Sequence, residues 1–169
     1  MATTNFPNYL AVLSLMTGVL ALAGCGASEP QSETPIERGV FTSATDCAEG
    51  GKRTLEQCSA AITAAVAEHE RAAATYPSLK SCETAEGADK CERTDTKSFR
   101  PRLMAFLVRM TDPPAAWPLY PTIKGEAGFR TGDNTILLSE DESLTFSRPA
   151  LAAAELHAGK GSASSSYNF

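Results

Sequence analysis

Residues 54–77 read TLEQCSAAITAAVAEHERAAATYP, and this stretch predicts the helix around which the chain folds. Thr54 is followed three residues later by Gln57, the capping-box arrangement that satisfies the free amides at a helix start. Mostly apolar residues then recur at steps of three and four, which places them on one face: Leu55, Cys58, Ile62, Val66, His69, Ala73 and Tyr76. Pro77 ends the helix because its ring disfavours helical geometry at the preceding residue.

The segments after this helix predict a mixed architecture. Ser78 is a cap for a second, short helix that carries Cys82. Residues 99–110 are strongly apolar, and their early proline suits the first turn of a helix, with a buried strand as the alternative. Residues 111–121 contain four prolines and must be extended. Residues 123–147 predict short strands separated by turns, with one turn at residues 132–134.

These elements make the fold class a small α+β domain, with a disulfide-braced N-terminal helical module followed by short β-hairpins. We expect the globular domain to span residues 46–148. Residues 25–45 are rich in Ser, Glu, Pro, Thr and Gly and predict a flexible tether. Residues 149–169 predict a tail. Its alanine-rich part, residues 149–157, is a candidate helix, and its Gly/Ser-rich part, residues 159–168, predicts disorder.

The N-terminus predicts export. Residues 9–23 are apolar or small, and they are too few to cross a bilayer comfortably, since a spanning helix needs roughly 20 apolar residues. A cleaved signal peptide over residues 1–24 fits better, although no Lys or Arg precedes the apolar run. The stretch Leu22-Ala23-Gly24-Cys25 resembles a lipobox, which implies cleavage before Cys25 and a diacylglycerol on its sulfur. An ordinary secretory signal and a buried helix with a chance cysteine are the alternatives.

The residue after Cys25 predicts which membrane holds the protein. Lipoproteins that stay in the inner membrane usually carry Asp at this position, and here it is Gly26. We therefore expect the inner leaflet of the outer membrane, facing the periplasm, with the lipid bilayer as the partner of acylated Cys25. An envelope protein is a further candidate partner. A nucleic-acid partner is not expected, because the net charge is −5 and no basic cluster is present.

Four cysteines remain besides Cys25: Cys47, Cys58, Cys82 and Cys91. An even number in an exported chain argues for disulfides, because the periplasm is oxidising. Three pairings are possible, and glycines inside each local loop favour Cys47–Cys58 with Cys82–Cys91. A zinc site is the alternative, but the spacings are not of the C-x-x-C type and only His69 and His157 could assist. We expect no metal and no cofactor.

No catalytic motif stands out in the chain. A Ser/His/Asp elbow, a phosphate-binding glycine loop and a metal cluster are all missing from the sequence. His69 lies on the buried stripe between two glutamates that point away from it on a helix, which favours a structural role over that of a general base. If the chain is an enzyme, its site must be assembled from distant residues, with His69, Arg130 and Asp133 as the polar candidates.

The whole pattern resembles the YgiB-like family of bacterial predicted lipoproteins, a domain of unknown function (DUF1190). The resemblance is carried by the lipobox, the order of the cysteines, the blocks Pro118-Leu119-Tyr120-Pro121 and Gly128-Phe129-Arg130-Thr131, and the Gly/Ser-rich end. The family has no assigned activity, so the resemblance implies a location and no mechanism. The residues favour a non-enzymatic envelope binding or structural module over a periplasmic enzyme or enzyme accessory protein.

Thiol titration tests the predicted disulfides. In a Cys25→Ala variant unfolded without reductant, we expect no reactive thiol, because the other four cysteines are bonded to each other. After reduction four thiols should react. Four reactive thiols before reduction would contradict the disulfides.

Overall fold

A computed structural model describes residues 37–50 and 52–161, and four helices and eight strands follow one another along them. In chain order these are β1 (Arg38–Phe41), α1 (Ala44–Glu49), α2 (Leu55–Ala72), α3 (Leu79–Glu86), β2 (Cys91–Arg93), β3 (Phe99–Pro101), β4 (Ala105–Arg109), β5 (Ala115–Pro121), β6 (Gly128–Arg130), β7 (Ile136–Leu138), β8 (Thr145–Phe146) and α4 (Arg148–Gly161). The leader and Cys25 lie outside the described residues.

Six of these strands form one sheet in the order β7-β6-β5-β4-β1-β8, and β2 pairs with β3 in a separate ribbon. Neighbouring strands run antiparallel, except that β8 runs parallel to β1. The first strand of the described residues, β1, therefore lies between β4 and β8, which come much later in the sequence.

Each face of the sheet buries its own core, because successive residues of a strand point to opposite faces. Val40 belongs to a cluster with residues of β4 to β7 and with Ala150 and Ala154 of α4. Its neighbour Phe41 belongs to a cluster with residues of α1, α2 and β4. The result is a sheet covered by α4 on one face and by α1 and α2 on the other.

The predicted helix begins as its sequence indicated. Thr54 Oγ1 accepts a hydrogen bond from the Gln57 N–H at 3.2 Å, and Gln57 Oε1 accepts one from the Thr54 N–H at 3.1 Å. The helix ends at Ala72, five residues before Pro77. Leu55, at the start of the predicted apolar stripe, is mostly exposed, whereas Ile62 is buried.

Two disulfides brace the helical part of the fold. Cys47 in α1 is bonded to Cys58 in α2, and Cys82 in α3 is bonded to Cys91 at the start of β2. This is the local pairing favoured by the intervening glycines. The bonded cysteines are 11 and 9 residues apart in the sequence. In the chain-entropy model, a disulfide that closes a loop of this size stabilises the fold by roughly 2–3 kcal/mol.

The folded part begins earlier and ends later than the sequence suggested. Strand β1 lies inside the segment expected to be a tether, and it pairs with β4 and β8. Helix α4 lies inside the expected tail, and its Ala150 and Ala154 are fully buried. Of the expected tether and tail, residues 25–36 and 162–169 lie outside the described residues.

Residues 99–110 adopt the strand alternative. They form β3 and β4, and β4 is central to the six-stranded sheet. The expected extended conformation of residues 111–121 is confirmed by β5, and the hairpin of β6 and β7 turns at residues 132–134. Within the described residues, no helix has the length and apolar character needed to span a membrane.

Substitution of Gly128 tests how closely the backbones of β6 and β7 approach each other. A Cβ at this position would lie 2.3 Å from the Leu137 carbonyl oxygen, which belongs to the neighbouring strand backbone. We expect Gly128→Ala to lower the free energy of unfolding by about 1–3 kcal/mol, measured by chemical denaturation.

Gly132→Ala is the matched control, because its added Cβ would meet no atom within 4 Å. We expect a change within about 0.5 kcal/mol. Equal effects of the two substitutions would contradict the close packing at Gly128.

Candidate functional site

A cleft of about 730 Å³ opens beside β5. Its lining combines the end of α2, parts of β4 and β5, and the turn after β6. Three aromatic side chains and two prolines supply apolar surface: Tyr76, Trp117, Tyr120, Pro101 and Pro118. Charged side chains of both signs lie among them: Arg38, Arg109, Arg130, Glu68, Glu86 and Asp133.

The cleft exists because β6 is much shorter than β5. Strand β6 pairs with β5 only at Tyr120 and Pro121. The chain then turns away, and the Thr131 N–H donates to the Thr135 carbonyl oxygen at 3.0 Å to close the turn. Residues 115–119 of β5 pair with β4 on one side and, among the described strands, with none on the other. The cleft therefore occupies the place that another strand would take.

A buried ion pair forms one wall. Arg130 is 4% exposed, and its guanidinium bonds one oxygen of Glu86 and lies 5.2 Å from the centre of the Tyr120 ring. The other Glu86 oxygen accepts a hydrogen bond from the Tyr76 hydroxyl at 2.6 Å. This bond, with burial and the Glu86 charge, raises the pKa of Tyr76 above its ordinary 10.0. Tyr76 holds the Glu86 carboxylate and Tyr120 packs against the Arg130 guanidinium, so this wall of the cleft is fixed.

A second polar chain lies behind Tyr120. His69 is 1% exposed; its Nδ1 lies 3.1 Å from the Tyr120 hydroxyl and its Nε2 lies 3.0 Å from a Glu92 oxygen. The same Glu92 oxygen accepts from Arg100 Nε at 2.7 Å. Burial works to raise the pKa of Glu92, but the hydrogen bonds and charges of His69 and Arg100 outweigh it and lower the pKa.

Tyr120 itself is held in its protonated form. Burial raises the pKa of its hydroxyl above the ordinary value of 10.0, and nearby arginines only partly offset this. A phenol with a raised pKa is a poor nucleophile or base near neutral pH. The chain from Glu92 through His69 therefore positions the Tyr120 ring in the cleft wall.

The other end of the cleft is positively charged. Arg38 and Arg109 lie directly opposite each other in the register of β1 and β4. The Arg109 guanidinium lies 5.1 Å from the centre of the Trp117 ring, and Trp117 is 37% exposed at the cleft. Arg38 donates a hydrogen bond to the Ser143 hydroxyl at 3.1 Å. This end offers cations and an aromatic face to a ligand.

A protein-family model described as a protein of unknown function (DUF1190) matches residues 36–156. The chain belongs to this family. No curated protein and no solved structure matches it. The matched span includes every residue of the cleft, whereas Cys25 precedes the span.

The DUF1190 domain brings two of the three polar candidates to the cleft. Arg130 and Asp133 both line it, while His69 lies behind Tyr120 and reaches the cleft only through that ring. Asp133 is exposed, and hydrogen bonds from Thr131 and Thr135 lower the pKa of its carboxyl. Within the described residues, no cluster of three or more His, Cys, Asp or Glu side chains could hold a metal ion.

Several residues that line the cleft or lie behind its wall were not predicted from the sequence. Trp117 and Tyr120 carry a detectable signal, since both are large aromatic residues within the proline-rich extended segment. Glu86 and Glu92 had none, because their partners Arg130 and His69 lie 44 and 23 residues away in the chain.

Glu92→Gln tests the polar chain of the DUF1190 domain through its pH dependence. The pKa of Glu92 in the folded state lies below its ordinary 4.5. The ionised carboxyl therefore stabilises the fold fully above pH 4.5, and this stabilisation is lost as the pH falls through the folded-state pKa. At pH 7 we expect the free energy of unfolding of Glu92→Gln to be about 1 kcal/mol lower than that of the unsubstituted protein, a modest loss because Glu92 is partly exposed to solvent. The difference should shrink below pH 4.5.

Glu70→Gln is the control, because Glu70 is exposed on the same helix as His69. Its effect should stay within about 0.5 kcal/mol at every pH. If Glu92→Gln lowered the free energy of unfolding by the same amount at pH 7 and at strongly acidic pH, the stabilising role of the Glu92 charge would be contradicted.

Proposed function

We propose that this protein is a non-enzymatic binding module of the bacterial cell envelope, anchored to a membrane through lipid on Cys25. The observation that carries the proposal is the cysteine pairing. The four cysteines of the described domain are used in two disulfides, and such bonds persist in oxidising compartments. The fifth, Cys25, directly follows an apolar leader, which is where a lipoprotein carries its acyl chains.

The spacing between anchor and domain supports binding close to a membrane. Residues 26–36 separate Cys25 from the first described residue, Glu37. Even fully extended, a chain of that length reaches roughly 40 Å. With Gly26 after the cysteine, the favoured position is the inner leaflet of the outer membrane, where the cleft would face the periplasm.

The cleft supports binding as the molecular role. Its volume, about 730 Å³, lies within the range of ligand sites in proteins. Its walls are fixed by the Arg130–Glu86 pair and by the contacts that hold Tyr120. A site whose side chains are already in place loses little entropy when a ligand binds.

A periplasmic enzyme or enzyme accessory protein is the second candidate. It is favoured by the presence of Arg130 and Asp133 in one cleft, with His69 in contact with Tyr120. Two features weigh toward binding instead. His69 is too deeply buried to touch a ligand, and the low pKa of Asp133 makes it a weak base near neutral pH.

Metabolic labelling tests the anchor. In bacteria that express the full chain and are fed an alkyne fatty acid, we expect the protein to carry the label in the outer-membrane fraction. Cys25→Ala should be unlabelled, because its side chain has no sulfur to acylate. Ser28→Ala, a change in the same segment, should keep the label. An unlabelled wild-type chain, or a labelled Cys25→Ala variant, would refute the proposed anchor.

A further inference from the structure

We propose that the cleft binds an extended peptide with an acidic side chain, which adds to the sheet as a strand beside β5. The inference rests on the proposed binding function and gives that function a ligand class. Three features carry it: the direction of the β5 backbone groups, the open place in the sheet, and two arginines at one end of the cleft that form no ion pair among the described residues.

Proline fixes the direction of the backbone groups. Pro118 has no N–H and pairs with Phe106, so this pair cannot exchange two hydrogen bonds. Hydrogen-bonded and non-hydrogen-bonded pairs alternate along antiparallel strands, so the pair of Val108 with Ala116 is also non-hydrogen-bonded. The backbone groups of Ala116 and Pro118 therefore point away from β4, toward the side of β5 on which Pro118 lines the cleft.

These groups form a short binding edge. Strand β6 stops at the level of Tyr120, and among the described strands none pairs with Ala116 or Pro118 on the side of β5 that faces away from β4. The edge offers one N–H and two carbonyl oxygens to an added strand. Extended peptides bind such edges through main-chain hydrogen bonds, and pockets for their side chains give specificity. The proline also limits the edge to a short segment, which opposes open-ended aggregation.

Charge selects an acidic peptide. Arg38 and Arg109 are directly opposite on neighbouring strands, an arrangement of like charges that is destabilising. Among the described residues, neither lies within ion-pair distance of a carboxylate, whereas Glu68 and Glu86 are already paired with arginines. A carboxylate on the ligand would relieve the repulsion.

The register predicts where that carboxylate lies. Ala115 is opposite Arg109, so the two side chains share a face of the sheet. A peptide residue placed opposite Ala115 projects its side chain onto the same face. The acidic residue should therefore be next to the peptide residue that pairs with Ala116, with the Trp117 ring beside it.

Selection from a random ten-residue peptide library displayed on phage tests the proposal on the full chain, purified in detergent. We expect the enriched peptides to carry Asp or Glu at one fixed position. Synthetic copies of one such peptide are then N-methylated on alternate backbone amides. Methylation of the amides that face β5 should weaken binding at least about tenfold, while methylation of the other set should not, because only the first set donates to the edge.

Two protein variants locate the binding. Ala116→Pro removes the N–H that points away from β4 and removes no hydrogen bond to β4. Peptide affinity should therefore fall at least about tenfold, with the fold retained in circular dichroism. Arg109→Gln should weaken binding about tenfold for the acidic peptide and not for its Gln counterpart. Arg93→Gln, a change at an exposed arginine outside the cleft, should leave the affinity unchanged.

Several results would overturn the inference. Enriched peptides without an acidic residue, or full binding by a folded Ala116→Pro variant, would do so. If no peptide is selected and the chain is a dimer that Ala116→Pro converts to a monomer, the occupant is a second copy of the chain. If no peptide is selected and the chain is a monomer, strand addition is wrong. The fatty-acid label on Cys25 is independent of all these results and tests the anchor alone.

Discussion

The missing N–H groups of Pro118 and Pro121 constrain how the sheet is built. A proline in a strand is compatible with pairing only where no N–H is needed. Pro118 pairs with Phe106 of β4, and Pro121 pairs with Phe129 of β6. Both pairs must be non-hydrogen-bonded, so the residues between them face alternate neighbours. Tyr120 consequently directs its backbone toward β6 and its ring toward α2, where it meets His69. The same constraint leaves the earlier part of β5 with an open edge.

Buried polar contacts then hold the wall beside that edge. The Tyr120 ring contacts both His69 and Arg130, and these bond Glu92 of β2 and Glu86 of α3. Burying charges is costly, and a paired arrangement often contributes little net stability, although the loss of one partner is strongly destabilising. Because five separate elements must be in place to satisfy this network, we infer that it specifies one arrangement of the cleft. A defined wall is what a binding site needs, since ordering it on binding would reduce affinity.

Features of the fold that depend on neighbouring residues could be predicted from the sequence. Features that depend on contacts between distant segments could not. The capping box at Thr54, both disulfide loops, the extended proline segment and the turn at residues 132–134 each depend on a few neighbouring residues. Strand β1 is four residues long and is stabilised by β4 and β8, more than 60 residues away. The packing of α4 on the domain was not predicted because alanine carries little hydrophobic signal, yet small side chains allow Ala150 and Ala154 to pack closely on the sheet. At the site, Arg130 and Asp133 were identified, whereas Glu86 could be assigned only from the folded structure.

The disulfide between Cys82 and Cys91 holds the two elements that supply the carboxylates beside the cleft. Cys82 precedes Glu86 by one helical turn in α3, and Cys91 is adjacent to Glu92 in β2. The bond between Cys82 and Cys91 therefore holds the two elements whose carboxylates bond Arg130 and His69. Without that bond, α3 and β2 would be joined only by a short loop and their packing contacts, and the two carboxylates would have more freedom to move apart. Because disulfides persist in an oxidising compartment, export would stabilise the domain and also fix the geometry of the cleft.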